Sequence, residues 1–183
     1  MRKVTIVVLP FLLLAAVLLY AQQDKSKRPS PPGTATSSFA DGKKITVDYS
    51  RPKINDPKTG QARKIMGALV PYDKVWRTGA NEATTFVTDA NLKVGDLSVP
   101  AGSYTLYTIP GASEWTIMIN KQTGQWGTVY QQDQDLGRVK AKSEKTSSPV
   151  EQFTISFEPA NGKATKLNLE WENTKVSVPI QEQ

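Results

Sequence analysis

The stretch that decides the fold is Lys166-Leu167-Asn168-Leu169-Glu170-Trp171-Glu172. Leucine or tryptophan occupies every second position, and polar or charged residues fill the positions between them. Because successive side chains of a β-strand point to opposite faces, this alternation predicts a strand with one buried face and one solvated face. A surface helix would instead need its apolar residues three and four positions apart.

The same alternation recurs along most of the chain. Further segments that show it are 44–50, 115–119, 152–158 and 175–180. Asp41-Gly42 and Asn161-Gly162 lie between such segments and are typical of tight hairpin turns. Asn173-Thr174 is expected to link the last two strands. Counting weaker segments, the pattern predicts nine to eleven strands and no amphipathic helix.

These features together predict an all-β chain folded as an antiparallel β-sandwich. Two packed sheets bury one face of every strand, and they are favoured here over one closed sheet. The chain has 183 residues and no cysteine, so the core must be sufficient without disulfides.

The amino terminus predicts export. Arg2 and Lys3 precede an apolar stretch from Val4 to Leu19, and Ala21 follows just before a polar run. This is the pattern of a cleavable signal peptide, here residues 1–21. A retained anchor is the alternative, but the apolar stretch would span only about 24 Å as a helix, against about 30 Å for a hydrocarbon core. We therefore expect a periplasmic or secreted protein that meets the membrane only through its signal peptide.

The region after the signal peptide divides into two parts. Residues 22–33 are polar and proline-rich, which predicts a disordered linker whose basic residues are solvated. Residues 34–183 form the sandwich domain. The net charge of +6 falls by two when the signal peptide leaves, and the remaining charges are interspersed. Such a mild imbalance favours solubility and predicts no nucleic-acid partner.

The residue inventory excludes several chemistries. The chain contains no histidine and no cysteine, so it can form neither a Ser-His-Asp triad nor a thiolate nucleophile. Ordinary zinc and copper sites need the same side chains. Asp133-Gln134-Asp135 lacks the spacing of a calcium loop and is interpreted as a solvated turn. We therefore predict no metal and no cofactor.

One stretch lacks the alternating pattern of the predicted strands. Residues 69–82 lack alternation, and Pro71 and Gly79 interrupt regular structure. Arginine, asparagine, glutamate and tryptophan could together hold a sugar or a carboxylated ligand. These side chains could equally form hydrogen bonds and ion pairs with one another, with Arg77 paired to Glu82. The candidate ligand-binding residues are Tyr72, Trp76, Arg77, Asn81, Glu82 and, in a later loop, Trp126.

Several motifs resemble a bacterial exported family known as domain of unknown function 2911. The longest is Leu-Val-Pro-Tyr-Asp-Lys-Val-Trp-Arg-Thr-Gly-Ala-Asn-Glu-Ala-Thr at residues 69–84. Segments 99–106, 109–111, 114–116, 120–121, 124–128 and 169–172 fit as well. A few extra residues at 57–60 depart from the pattern. The resemblance implies an exported β-rich domain and supplies no reaction or catalytic residue.

Three functions remain open on these grounds. The first is a non-catalytic module that binds a small ligand, a glycan or an envelope protein through the candidate residues. The second is a hydrolase that acts on glycans with paired carboxylates, since carboxylates remain after histidine and cysteine are excluded. The third is a purely structural envelope protein.

Overall fold

A computed structural model describes residues 25–183, and the predicted signal peptide lies outside the described residues. Two short 3-10 turns cover Lys25–Lys27 and Gln132–Gln134. The strands are β1 Pro32–Ser38, β2 Lys44–Ser50, β3 Thr84–Thr88, β4 Leu92–Val94, β5 Leu97–Val99, β6 Gly102–Ile109, β7 Glu114–Asn120, β8 Asp135–Phe157 and β9 Ala164–Glu182. Among these residues no helix is long and apolar enough to cross a membrane.

The nine strands form one antiparallel sheet in the order β1-β2-β3-β6-β7-β8-β9-β4-β5. The predicted fold class is thereby confirmed, with a strand count at the lower end of the expected range. The turn at Asp41-Gly42 joins β1 to β2, and Asn161-Gly162 lies between β8 and β9, as the sequence predicts.

Strand β8 belongs to both layers of the sandwich. Its first part, from Asp135 to Lys142, pairs with β7, and its second part, from Ser143 to Phe157, pairs with β9. The two layers are therefore halves of one continuous sheet rather than separate sheets. The expected turn at Asn173-Thr174 is wrong: β9 runs through this point, and Glu172 takes a left-handed φ of 55° instead of ending the strand.

The core lies between the two halves of the sheet. Apolar residues of β2, β3, β6 and β7 pack against those of β4, β5, β8 and β9 in one buried cluster. The Tyr49 ring meets the Phe153 ring edge-on at a centroid distance of 5.7 Å, which joins β2 to the far part of β8. The Tyr49 hydroxyl also donates to the carbonyl of Ile155.

Residues 25–33 differ from the disordered linker expected there. Residues 25–31, called here the N-terminal strap, begin with a 3-10 turn, and β1 already starts at Pro32. Lys25 and Arg28 both pair with Glu82; the Lys25 side chain stays 58% exposed, as expected for linker charge, whereas that of Arg28 is 24% exposed. The composition predicts disorder because the strap contains few apolar residues. Ion pairs with Glu82, rather than apolar burial, hold the strap against the domain.

Replacing Phe153 by alanine should weaken the whole fold. The side chain has no exposed surface and contacts Tyr49, Trp76 and Trp171. We expect the free energy of unfolding in urea to fall by about 3–5 kcal/mol, as for buried aromatic residues in general. Val129→Ala is the control at an exposed position and should cost less than about 0.5 kcal/mol. Similar losses in both variants would contradict this account of the core.

Candidate functional site

The candidate site forms where the chain leaves the line of β3. Trp76 exchanges two backbone hydrogen bonds with Thr108, and Thr84 pairs with the neighbouring Leu106. Thr108 and Leu106 are close together on β6. Residues 77–82, called here the site loop, therefore form a bulge between Trp76 and Thr84. The candidate residues Arg77, Asn81 and Glu82 all lie on this bulge.

The backbone of the site loop is strained. Thr78 and Asn81 have φ angles of 53° and 59°, and Gly79 has a φ of 155°. A left-handed conformation is rare for a β-branched residue such as Thr78, which is also completely buried. Strain of this kind costs about 1–3 kcal/mol per residue and concentrates at functional sites.

Hydrogen bonds hold the strained backbone in place. The Thr78 hydroxyl lies 3.1 Å from the Thr108 hydroxyl, and the Thr84 hydroxyl donates to the Thr78 carbonyl at 2.8 Å. Gly79 sits so close to β2 that an added Cβ would lie 2.9 Å from the Ser50 carbonyl oxygen. The loop conformation therefore depends on a small set of buried hydroxyls and one glycine.

Trp76 anchors the site loop in the core. Its ring stacks on Trp171 at 6.0 Å with an interplanar angle of 17°, and it meets Trp115 and Phe153 edge-on. The indole N–H donates to the carbonyl of Gly79 at 3.1 Å. Its polar group is thus used within the protein, and only part of the ring remains exposed.

Glu82 is engaged by the N-terminal strap. Arg28 donates from Nη1 to both carboxylate oxygens, at 2.9 and 2.8 Å, and Lys25 Nζ lies 3.2 Å from Oε1. Partial burial pushes the pKa of Glu82 upwards, but the hydrogen bonds from Arg28, its own backbone and Lys25 outweigh this effect. The pKa is lowered to about 2. Glu82 is therefore ionised at neutral pH.

Arg77 and Asn81 are connected to each other rather than to Glu82. Arg77 donates from Nη1 to the Asn81 carbonyl at 3.2 Å. The Asn81 side chain donates to the Ser30 carbonyl and to the Ser50 hydroxyl. The pairing of Arg77 with Glu82 that the sequence suggested as an alternative is not formed.

Trp126 joins this cluster through its backbone. It forms a β-bridge with Glu82, and the next residue, Gly127, donates its N–H to the Asn81 carbonyl. The Trp126 side chain is 50% exposed. Gly127 is required here because an added Cβ would lie 2.7 Å from the Asn81 carbonyl oxygen and 2.9 Å from Arg77 Cβ. The sixth candidate, Tyr72, packs its exposed ring near Gly67 and lines neither of the clefts described below.

Two clefts adjoin the site loop. The first, called here the polar cleft, has a volume of about 330 Å³. Its charged lining residues are Lys25, Arg28, Asp48 and Glu82. Two carboxylates and two basic side chains therefore face the same space, and Glu82 is paired with both basic groups.

The second cleft, called here the aromatic cleft, is larger, at about 450 Å³. Trp76 and Trp171 line it together with Arg77 from the site loop and Pro29 and Ser30 from the strap. The charged residues Lys53, Asp56, Lys58 and Arg63 come from the long connection between β2 and β3. Sequence reasoning missed these four because nothing local distinguishes them from ordinary loop charges.

The acidic turn Asp133-Gln134-Asp135 is part of a polar network, and the interpretation as a solvated turn is wrong for Asp135, whose side chain is 9% exposed. Asp135 accepts hydrogen bonds from Asn120, Tyr130 and Arg138. Burial, followed by the hydrogen bond to Asp135, raises the pKa of Tyr130 to about 12. Asp135 is thus committed to internal bonds, and no three His, Cys, Asp or Glu side chains in residues 25–183 are grouped to hold a metal ion.

The family resemblance is confirmed by comparison with known proteins. A family model described as "Protein of unknown function (DUF2911)" matches residues 30–180, which is most of the chain. No curated protein and no solved structure matches this chain significantly. The match begins within the strap and ends near the close of β9.

Gly79→Ala should destabilise the protein more than an ordinary loop glycine does. The new Cβ would meet the Ser50 carbonyl at 2.9 Å, and the φ of 155° is unfavourable for alanine. We expect a loss of about 2–3 kcal/mol in the free energy of unfolding. Gly124→Ala is the matched control, because its φ of 77° is also strained while no atom lies within 4 Å. It should cost only about 1 kcal/mol, and equal losses would refute the close contact.

The contribution of Glu82 to stability should disappear in acid. Its pKa in the folded protein, about 2, lies below the ordinary value of 4.5. The stabilisation is therefore complete above pH 4.5 and is lost as the pH falls through about 2. Because the side chain is 40% exposed, we expect wild type and Glu82→Gln to differ by at most about 1 kcal/mol at pH 6. Urea unfolding should show this difference shrinking towards zero near pH 2, and a pH-independent difference would contradict the assignment.

Proposed function

This chain belongs to the DUF2911 family, and we propose that it is an exported, non-catalytic binding module whose aromatic cleft takes a small anionic ligand. The observation that carries the proposal is the combination of indole rings and excess positive charge in one cleft of about 450 Å³. Pockets for small molecules usually measure 300–1,000 Å³ and combine an apolar lining with a few polar groups.

The charge of the aromatic cleft favours an anion. Four basic residues line it, and Asp56 is its only acidic lining residue. Asp56 is paired with Arg63 at 3.5 Å. Lys53, Lys58 and Arg77 form no ion pair among the described residues, so their charges remain available to a carboxylate or phosphate.

Arg77 is suited to hold such a group. Its guanidinium has five donors, and the only acceptor it meets in the described part of the chain is the Asn81 carbonyl. Its stem is fixed across the backbone of Gly127. An arginine with a fixed stem and spare donors can bind a carboxylate or phosphate at a low cost in conformational entropy.

The lining of the cleft favours a ligand with an apolar part. Pro29, Pro52 and Pro57 provide rigid apolar walls, and the partly exposed Trp76 lines the cleft with them. A ligand that combines one acidic group with a ring or short hydrocarbon part would match both components. Sugar acids and small aromatic acids meet this description.

The observations favour binding over glycoside hydrolysis. Asp48 and Glu82 do share the polar cleft, as a pair of catalytic carboxylates would. A glycosidase, however, needs one carboxyl group whose pKa is raised so that it can donate a proton. Both oxygens of Glu82 accept hydrogen bonds from Arg28 and its pKa is lowered to about 2, so Glu82 is unsuited to the proton-donating role. A purely structural role would leave the aromatic cleft and its unpaired charges without a purpose.

Binding can be tested with galacturonic acid as the anionic probe and glucose as its neutral counterpart. We expect galacturonic acid to raise the melting temperature and to change tryptophan fluorescence, because Trp76 lies in the cleft. Glucose at the same concentration should do neither. The apparent affinity should fall as the ionic strength rises.

The double variant Lys53→Gln/Lys58→Gln locates the binding site. Removal of two unpaired charges should weaken binding about fivefold or more while leaving the melting temperature of the free protein nearly unchanged. Lys121→Gln/Lys163→Gln is the matched control, since both lysines are exposed and line neither cleft. The proposal fails if glucose binds equally well or if the two double variants bind alike.

A further inference from the structure

The N-terminal strap forms a wall of both clefts. Lys25 and Arg28 line the polar cleft, whereas Pro29 and Ser30 line the aromatic cleft. A change in the position of the strap would therefore alter the aromatic cleft directly. The strap is also the part of its lining that is nearest to the beginning of the described chain.

The strap is held by polar contacts. None of the residues in its 3-10 turn is buried. Arg28 and Lys25 bind Glu82, the Ser30 carbonyl accepts from the Asn81 side chain, and the Pro31 carbonyl accepts from the Arg51 N–H at 2.8 Å. Exposed ion pairs and single hydrogen bonds are individually weak. The strap can therefore detach at a much lower cost than a strand of the sheet.

Asn81 connects the strap to Arg77. Its side chain donates to the Ser30 carbonyl at 3.2 Å, and its own carbonyl accepts the Arg77 guanidinium at 3.2 Å. Glu82 follows directly and holds Arg28. Two successive residues of the site loop thus determine the position of one wall of the aromatic cleft and of one of its basic side chains.

We propose that Glu82 is a positioning residue: by holding Arg28, it keeps the N-terminal strap closed against the site loop and completes the aromatic cleft for its ligand. This inference rests on the proposed function, since it assigns a role in ligand binding to a residue that need not touch the ligand. A closed strap preorganises the cleft, and preorganisation increases affinity because less order must be gained on binding.

Coupling between strap and ligand must act in both directions. If a closed strap improves binding of the ligand, then bound ligand must stabilise the closed strap by the same factor. Trypsin can report the state of the strap, because Lys25-Ser26 and Lys27-Arg28 are cleavable bonds whereas Arg28-Pro29 is resistant. The rate of cleavage at these two bonds measures how often the strap is open.

The main experiment compares wild type with Glu82→Gln, using galacturonic acid as the probe. The variant keeps the size of the side chain but removes its charge, so we expect cleavage at the strap to accelerate about fivefold and affinity for the probe to fall by no more than the same factor. Saturating probe should slow cleavage of the wild type. Glu158→Gln, which breaks an exposed ion pair with Lys166 on another surface, is the matched control and should change neither quantity.

A double-mutant cycle with Arg28→Gln separates this role from a general structural one. Because Glu82 also binds Lys25, Glu82→Gln should lose at least as much affinity as Arg28→Gln, and the double variant should lose no more than Glu82→Gln. If Glu82→Gln does not fold, Arg28→Gln alone tests the contact between the strap and the site loop. Wild-type affinity in both single variants, or additive losses in the double variant, would overturn this inference alone. If wild type binds neither galacturonic acid nor inorganic phosphate, the proposed function fails together with it.

Discussion

The packing of Trp76 against Trp171 is the interaction on which the candidate site depends. The connection between β2 and β3 contains no regular strand; it reaches the core first through Ile65, Met66 and Val70 and then through Trp76, which packs against the core just before the site loop. The ring contacts Trp115 of β7, Phe153 of β8 and Trp171 of β9. Aromatic contacts of this kind stabilise the fold by more than the burial of their surface area alone would provide. They fix the point from which the site loop departs.

A fixed starting point allows the site loop to carry strain. Thr78 and Asn81 have left-handed backbone conformations. A loop without support from its surroundings would move to less strained φ angles. The two backbone bonds between Trp76 and Thr108 on one side, and β3 on the other, close the loop over a short span. The strained backbone directs Asn81 and Glu82 towards the strap. Rigid packing thus determines where the polar groups of the site lie.

The sequence predicts the fold better than it predicts the site. Alternation depends on neighbouring residues, so the strands around Leu169 and Ile155 are visible without any tertiary information. The continuity of β9 through Glu172 is not, because a left-handed residue inside a strand is favoured only by distant contacts, here the carboxylate bonds to the Ile65 and Met66 N–H groups. The order of the strap has the same origin, since the partner of Arg28 lies 54 residues away.

The candidate residues themselves have separate roles that their adjacency in the sequence conceals. Trp76 fills the core, Glu82 holds the strap, and Arg77 alone keeps unused donors beside a cleft. Lysines 53 and 58, which supply the remaining unpaired charge, come from another part of the chain. A short polar motif is therefore consistent with a binding site without being one by itself. In this protein the motif, the strap and the β2–β3 connection meet around the same cleft.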